Sequence, residues 1–169
     1  MGGDTANNPR ASGVILHFAY GSNMSRLIMR KHAPDAEPVG VATLANYRFL
    51  ITADGYASIE PKRGETVHGV VWRLTPHDRM TLDAWENIAA GLYRAATLPV
   101  RQAGRRRMAL TYLGRSSQTG LAKAGYMQVV IAAALEWQLP QAYISSLRHW
   151  LPGRRGGVGR RKLGGFEWT

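Results

Sequence analysis

Residues 14–32, VILHFAYGSNMSRLIMRKH, decide how the chain begins its fold. The run from Val14 to Tyr20 has the apolar character of a buried strand, and it stops at Gly21-Ser22-Asn23 before a short basic helix, SRLIMRKH. Glycine lets backbone approach a neighbour or ligand closely. Ser22 or Asn23 can cap the helix, and free amide hydrogens at a helix start carry partial positive charge. Such a turn suits a carboxylate, or a carbonyl oxygen gaining charge. The same residues also make an ordinary capped turn with nothing bound, since Gly, Ser and Asn dominate turns for conformational reasons.

Outward from this turn lies a strand-rich middle: ATLANYRFLITA, a turn at Asp54-Gly55, YASIE, a second turn at Lys62 to Gly64, and VHGVVWRL. Thr75 and Pro76 mark a helix start with Asp78 in its first turn, and the helix is expected to reach Ala90, stopped by Gly91. Strands LYRAATLPV and RRMALTYLG follow, joined by a turn at Gln102 to Gly104. A helix from Gly125 to Leu139 carries apolar residues around almost its whole circumference, which predicts burial, and another runs from Pro140 to Leu151. Strands and helices without regular alternation indicate an α+β domain, a strongly curved mixed β-sheet or barrel flanked by helices. The domain is expected over residues 14–151, between a disordered leader, 1–13, and a basic Gly/Arg-rich tail, 152–169.

The chain has no cysteine, which excludes disulfides, thiolate nucleophiles and thiolate metal sites. With no signal core and no long apolar run, it reads as a soluble, cytoplasmic protein without a membrane partner. Its formal charge of +11, from 22 basic and 11 acidic residues, attracts anions without choosing among them.

An acid/base carboxylate should sit near apolar surface, where desolvation raises its pKa. Most of the acids lie in the ends, in turns, beside prolines or in a cap. Glu60 and Glu136 suit paired structural charges. Glu86, in TLDAWENIAAGLY, falls at the edge of an apolar arc made by Met80, Leu82, Ala84, Trp85, Ile88 and Ala89, shielded yet able to face a cleft. Asp83 points further into the polar face and is expected to be solvated.

YGSN after the first strand, the strand VHGVVWRL, and Glu86 within LDAWENIAAGLY together resemble the γ-glutamylcyclotransferase-like (AIG2-like) family, from about Ile15 to Leu151. Tyr126, in AGYMQ, is similar to that family's pocket tyrosine. The residue after the glutamate is often glycine in the family, and here it is Asn87. The resemblance implies a cyclotransferase whose small γ-glutamyl substrate closes on itself, its α-amine attacking the γ-carbonyl to release 5-oxoproline and an amine or amino acid. It implies Glu86 as base and then acid, and Tyr20, Gly21, Ser22, Asn23 and Tyr126 as substrate-binding residues. No cofactor or metal is required, and the loops at Lys62 to Glu65 and Arg115 to Ala124 would set leaving-group selectivity. The alternative is a catalytically idle member of the same fold acting as a binding module, its tail contacting nucleic acid or an acidic partner.

Other features carry less. His17, His32, His68, His77 and His149 lack a paired metal-binding spacing, and GRRGGVGRRK lacks the ending of a phosphate loop. Arg105 to Arg107 read as a solvated face, and Trp72, Trp85 and Trp137 as core.

Overall fold

A computed structural model describes residues 14–153, so the expected leader and all but the first residues of the expected tail lie outside the described residues. Five strands, β1 (Ile15–Ala19), β2 (Glu37–Ile51), β3 (Ala57–Leu74), β4 (Tyr93–Gln102) and β5 (Arg105–Gly114), close into a barrel in the order β1-β3-β2-β4-β5. All neighbours pair antiparallel except β1 and β5, which meet parallel with His17 opposite Leu110. Helices α1 (Arg26–His32), α2 (Pro76–Trp85), α3 (Tyr126–Glu136) and α4 (Gln141–Arg148) flank it. The fold is thus α+β with a mixed, closed sheet. No helix among the described residues is long and apolar enough to cross a membrane.

The first strand is held on both sides. Phe18 is fully buried, and its ring lies where a Cβ on Gly69 of β3 would come within 2.7 Å, so the glycine of VHGVVW is required by close approach. The β4–β5 connection is the expected tight turn, with Ala103 and Gly104 both at positive φ as a two-residue hairpin demands.

The turn expected at Lys62 to Gly64 is not a chain reversal, because β3 runs unbroken through it. Tyr47 pairs with Pro61 and Ala45 with Thr66, so Asn46 alone opposes the stretch 62–65. Asn46 and Gly64 both adopt positive φ, and the Gly64 N–H donates to Asn46 Oδ1 at 3.0 Å. The turn chemistry is real, but it is absorbed as a bulge that bends two long strands into the barrel wall.

Helix α3 is not buried all round. Met127, Val130, Ile131, Ala133 and Ala134 face the core, while Val129 and Leu135 are exposed. The short α3 is anchored by Trp137, whose Nε1 donates to Met24 O at 2.7 Å and whose ring lies under the Arg26 guanidinium. Glu60 and Glu136 pair with Arg48 and Arg26, as charges at their positions should.

Candidate functional site

Strand β1 delivers Tyr20 to the rim of the barrel, and the chain then makes a short 3-10 turn, Ser22–Met24, before α1. Neither Ser22 nor Asn23 caps α1. Ser25 does, accepting from the Ile28 N–H, because the inserted turn displaces the helix start by three residues. Gly21 is dictated by contact: a Cβ there would stand 2.9 Å from the Tyr126 hydroxyl and 3.2 Å from Ala57 Cβ. Tyr126 opens α3, and its hydroxyl accepts from the Ala57 N–H at 3.3 Å and bonds to Ser22. Tyr93 donates to the Ala57 carbonyl at 2.6 Å, so the two phenols grip that residue from both sides. Tyr20 donates to the Tyr112 carbonyl.

Glu86 is not inside a helix reaching Ala90. Helix α2 starts as expected, with Thr75 as cap and Asp78 completing the capping box, but it ends at Trp85 with Glu86 as its C-terminal cap. The reason is Asn87, at φ 50°, in the left-handed region where glycine and asparagine are at ease. The Asn87 N–H returns to the Ala84 carbonyl and the Ile88 N–H to the Asp83 carbonyl, both at 3.1 Å, which is a Schellman ending. Asn87 therefore takes the conformation for which glycine is commonly used. The expected apolar arc is interrupted, since Leu82 is fully buried but Met80 and Trp85 are exposed.

The helix ending places Glu86 against the first loop. Asn23 Nδ2 donates to Glu86 Oε1 at 2.7 Å, across 63 residues of sequence. Burial pushes the Glu86 carboxyl up from 4.5 to about 7, opposed by the Asn23 hydrogen bond, which favours the charged form. Asn23 Oδ1 is buried without a partner among the described residues. Burial likewise raises the Tyr126 phenol to about 12, so it remains a hydrogen-bond donor at neutral pH.

Tyr20, Gly21, Ser22, Asn23, Glu86 and Tyr126 all line one cleft of about 760 Å³, of the size that takes a small organic ligand. Sequence reasoning missed Tyr93, Tyr112 and His17, which line it too. Tyr93 had a signal, standing two residues after the stop glycine Gly91 at the start of a strand. Asp83, expected in solvent, accepts from Tyr112 Oη at 2.7 Å and pairs with Arg79. His17 is buried, one ring nitrogen on the Leu110 carbonyl, and burial lowers its pKa to about 4. Trp85 is no core residue: it stacks on His32 at 3.7 Å at the cleft wall. The stretches 62–65 and 115–124 do not line the cleft, whose outer wall comes from α1 and the end of α2 instead.

Known proteins resemble the chain in sequence and in fold. The sequence model of the AIG2-like family matches residues 66–147. The chain is 28% identical over 146 residues to the γ-glutamylcyclotransferase of Mus musculus, covering 80% of this chain and 78% of that one. It is 26% identical over 145 residues to the Homo sapiens γ-glutamylcyclotransferase, covering 79% and 77% respectively. A solved structure of a γ-glutamyl cyclotransferase superposes with a TM-score of 0.77 at 25% identity, over 86% of this chain and 94% of that one.

Proposed function

Because the AIG2-like family model matches residues 66–147 and the chain is similar to γ-glutamylcyclotransferases in sequence and fold, we propose that it is a member of that family and cyclises a γ-glutamyl compound, with Glu86 moving the protons. The observation that carries this reading is the 2.7 Å contact between Glu86 and Asn23 at the wall of a shared cleft, with the acid's affinity for protons raised toward neutrality. A base near its operating pH both takes and returns a proton efficiently.

In the proposed reaction the substrate's α-ammonium gives a proton to the Glu86 carboxylate. The amine nitrogen attacks the γ-carbonyl carbon, closing a five-membered ring. The bond from that carbon to the departing nitrogen then breaks as Glu86 returns the proton to it, and the ring nitrogen's second proton passes by way of the same carboxylate to the departing amine, releasing 5-oxoproline and an amine or amino acid in its ammonium form. Nucleophile and electrophile share one molecule, so holding the folded conformer removes much of the entropic barrier. The orphaned Asn23 Oδ1 beside Glu86 gives the ammonium a second acceptor, and a buried acceptor left unpaired costs about 1–3 kcal/mol. Residues of the Gly21 turn and Tyr126 line the same space, and their backbone amides and hydroxyl are of the kind that would hold the substrate carboxylate or the oxygen that gains charge.

The test is release of 5-oxoproline from a panel of γ-glutamyl amino acids and amines, run alongside Glu86→Gln. Release by the wild type that the variant loses supports the reading. A variant turning over within tenfold of wild type removes Glu86 from the chemistry, since a positioned acid/base contributes about 10²–10⁴-fold.

A further inference from the structure

The cleft is larger than a five-membered ring requires, and its two ends differ. The inner end holds Asn23, Glu86 and the tyrosines. The outer end is walled by Leu27, Ile28, Trp85 and Val129, with His32 stacked on Trp85 at an interplanar angle of 22°. Leu27 is 70% exposed, Trp85 45% and Val129 37%, so a substantial apolar surface is left uncovered beside the reacting end. The spacing of Leu27, Ile28, Lys31 and His32 puts all four on the side of α1 that faces this wall. Lys31 is the one Lys or Arg lining the cleft among the described residues, and none of their ion pairs engages it. Burial and the neighbouring Lys31 lower the His32 pKa, so the imidazole stacked on Trp85 is neutral and offers a face, not a charge.

Resting on the cyclisation reading above, we propose that this outer end is a leaving-group subsite selecting γ-glutamyl amino acids whose departing part carries a large apolar or aromatic side chain and a free carboxylate. The side chain lies on the Trp85 shelf between Leu27 and Val129. The carboxylate meets Lys31. A departing amine without a carboxylate forfeits that charge pairing, and a small side chain leaves the shelf wet.

The binding arm uses Glu86→Gln protein, which holds substrate without consuming it, and calorimetry with γ-glutamyl-phenylalanine, γ-glutamyl-alanine and γ-glutamyl-phenethylamine. The phenylalanine compound should bind about tenfold more tightly than the alanine compound, since a half-covered aromatic gains part of its full burial energy. Adding Trp85→Ala, or Leu27→Ser on a side chain with few protein contacts, should bring that ratio to about twofold. Lys31→Gln should weaken the phenylalanine compound about threefold to tenfold and the phenethylamine compound less than about twofold. Equal affinities for the phenylalanine and alanine compounds, or a ratio that both wall variants leave intact, overturn the subsite. Equal binding of the phenylalanine and phenethylamine compounds to Lys31-intact protein overturns the carboxylate assignment. The wild-type arm measures 5-oxoproline release from the same compounds. Selective binding without release would sink the cyclisation reading and keep the subsite, whereas release without side-chain selectivity would do the reverse.

Discussion

Helix α2 carries an acid at each end, and the two have opposite circumstances. Asp78, at its start, is fully buried and fully engaged: Oδ2 accepts from the Thr75 N–H at 3.0 Å and the Thr75 hydroxyl at 2.8 Å, and Oδ1 from the Asp35 N–H at 3.2 Å. Glu86, at its end, is only half-buried, accepts one hydrogen bond from Asn23, and opens onto the cleft. Deeper burial therefore does not mark the carboxylate proposed to react. The distinction lies in the lone pairs left over once the protein has taken its share: Asp78 has a cap and a loop to hold, and Glu86 keeps acceptor capacity facing the cleft, as the proposed role requires.

The sharpest way to break this contrast is to neutralise each acid in turn. Glu86→Gln should reduce 5-oxoproline release by about 10³-fold while leaving thermal stability at neutral pH undiminished, checked by a product assay and calorimetric unfolding. Next in size, Gly21→Leu drives a side chain into Tyr126 and Ala57, and should weaken binding of a non-cyclising substrate analogue by about tenfold or more. Unchanged affinity in a calorimetric titration would detach the loop from the site. Asp78→Ala should do the opposite of Glu86→Gln, lowering unfolding stability by about 2 kcal/mol with little loss of turnover per folded molecule.

The pH dependence sharpens the comparison further. Because the Glu86 carboxyl rises from 4.5 to about 7, the folded protein holds a proton in that window that the unfolded chain has released. Its contribution to stability is present below pH 4.5, is lost as pH climbs through 7, and changes no more above that, a swing of at most about 3 kcal/mol. Glu86→Gln should flatten that slope, so the variant gains on wild type between pH 5 and pH 8 in denaturant titrations. Activity should rise with pH through a limb near 7 as the base ionises. The smallest effect expected is from Asn23→Leu, which removes the bond favouring the charged acid and moves that limb upward. A limb that stays in place would mean that Asn23 does not tune the acid.

Much of the frame was readable in residues 14–151, because strands with apolar runs, the Thr75-Pro76 start and the Ala103-Gly104 turn all announce themselves locally. What escaped was decided by partners distant in sequence. Gly64 and Gly21 look alike in the chain, yet one sits in a bulge with nothing within 4 Å of where a Cβ would stand and the other is pinned under Tyr126. Asn87 ends α2 early because its backbone adopts the left-handed region, which wheel geometry cannot register. Asp83 leaves the solvent because β5 brings Tyr112 to it. Trp85 reads as core by composition, and only the placement of α1 turns it into a wall with His32.

The parallel seam between β1 and β5 bears on how such a molecule can change. With β3 on its other flank, β1 has no unpaired edge, so the loop leaving it cannot slide by a residue without tearing two ladders at once. Helix α1 is under no such restraint, being held by its Ser25 cap and by side chains. On the proposed reading, substitutions on the exposed side of α1 remake the leaving-group wall while Asn23 and Glu86 keep their coordinates, a fixed anvil with an exchangeable mould.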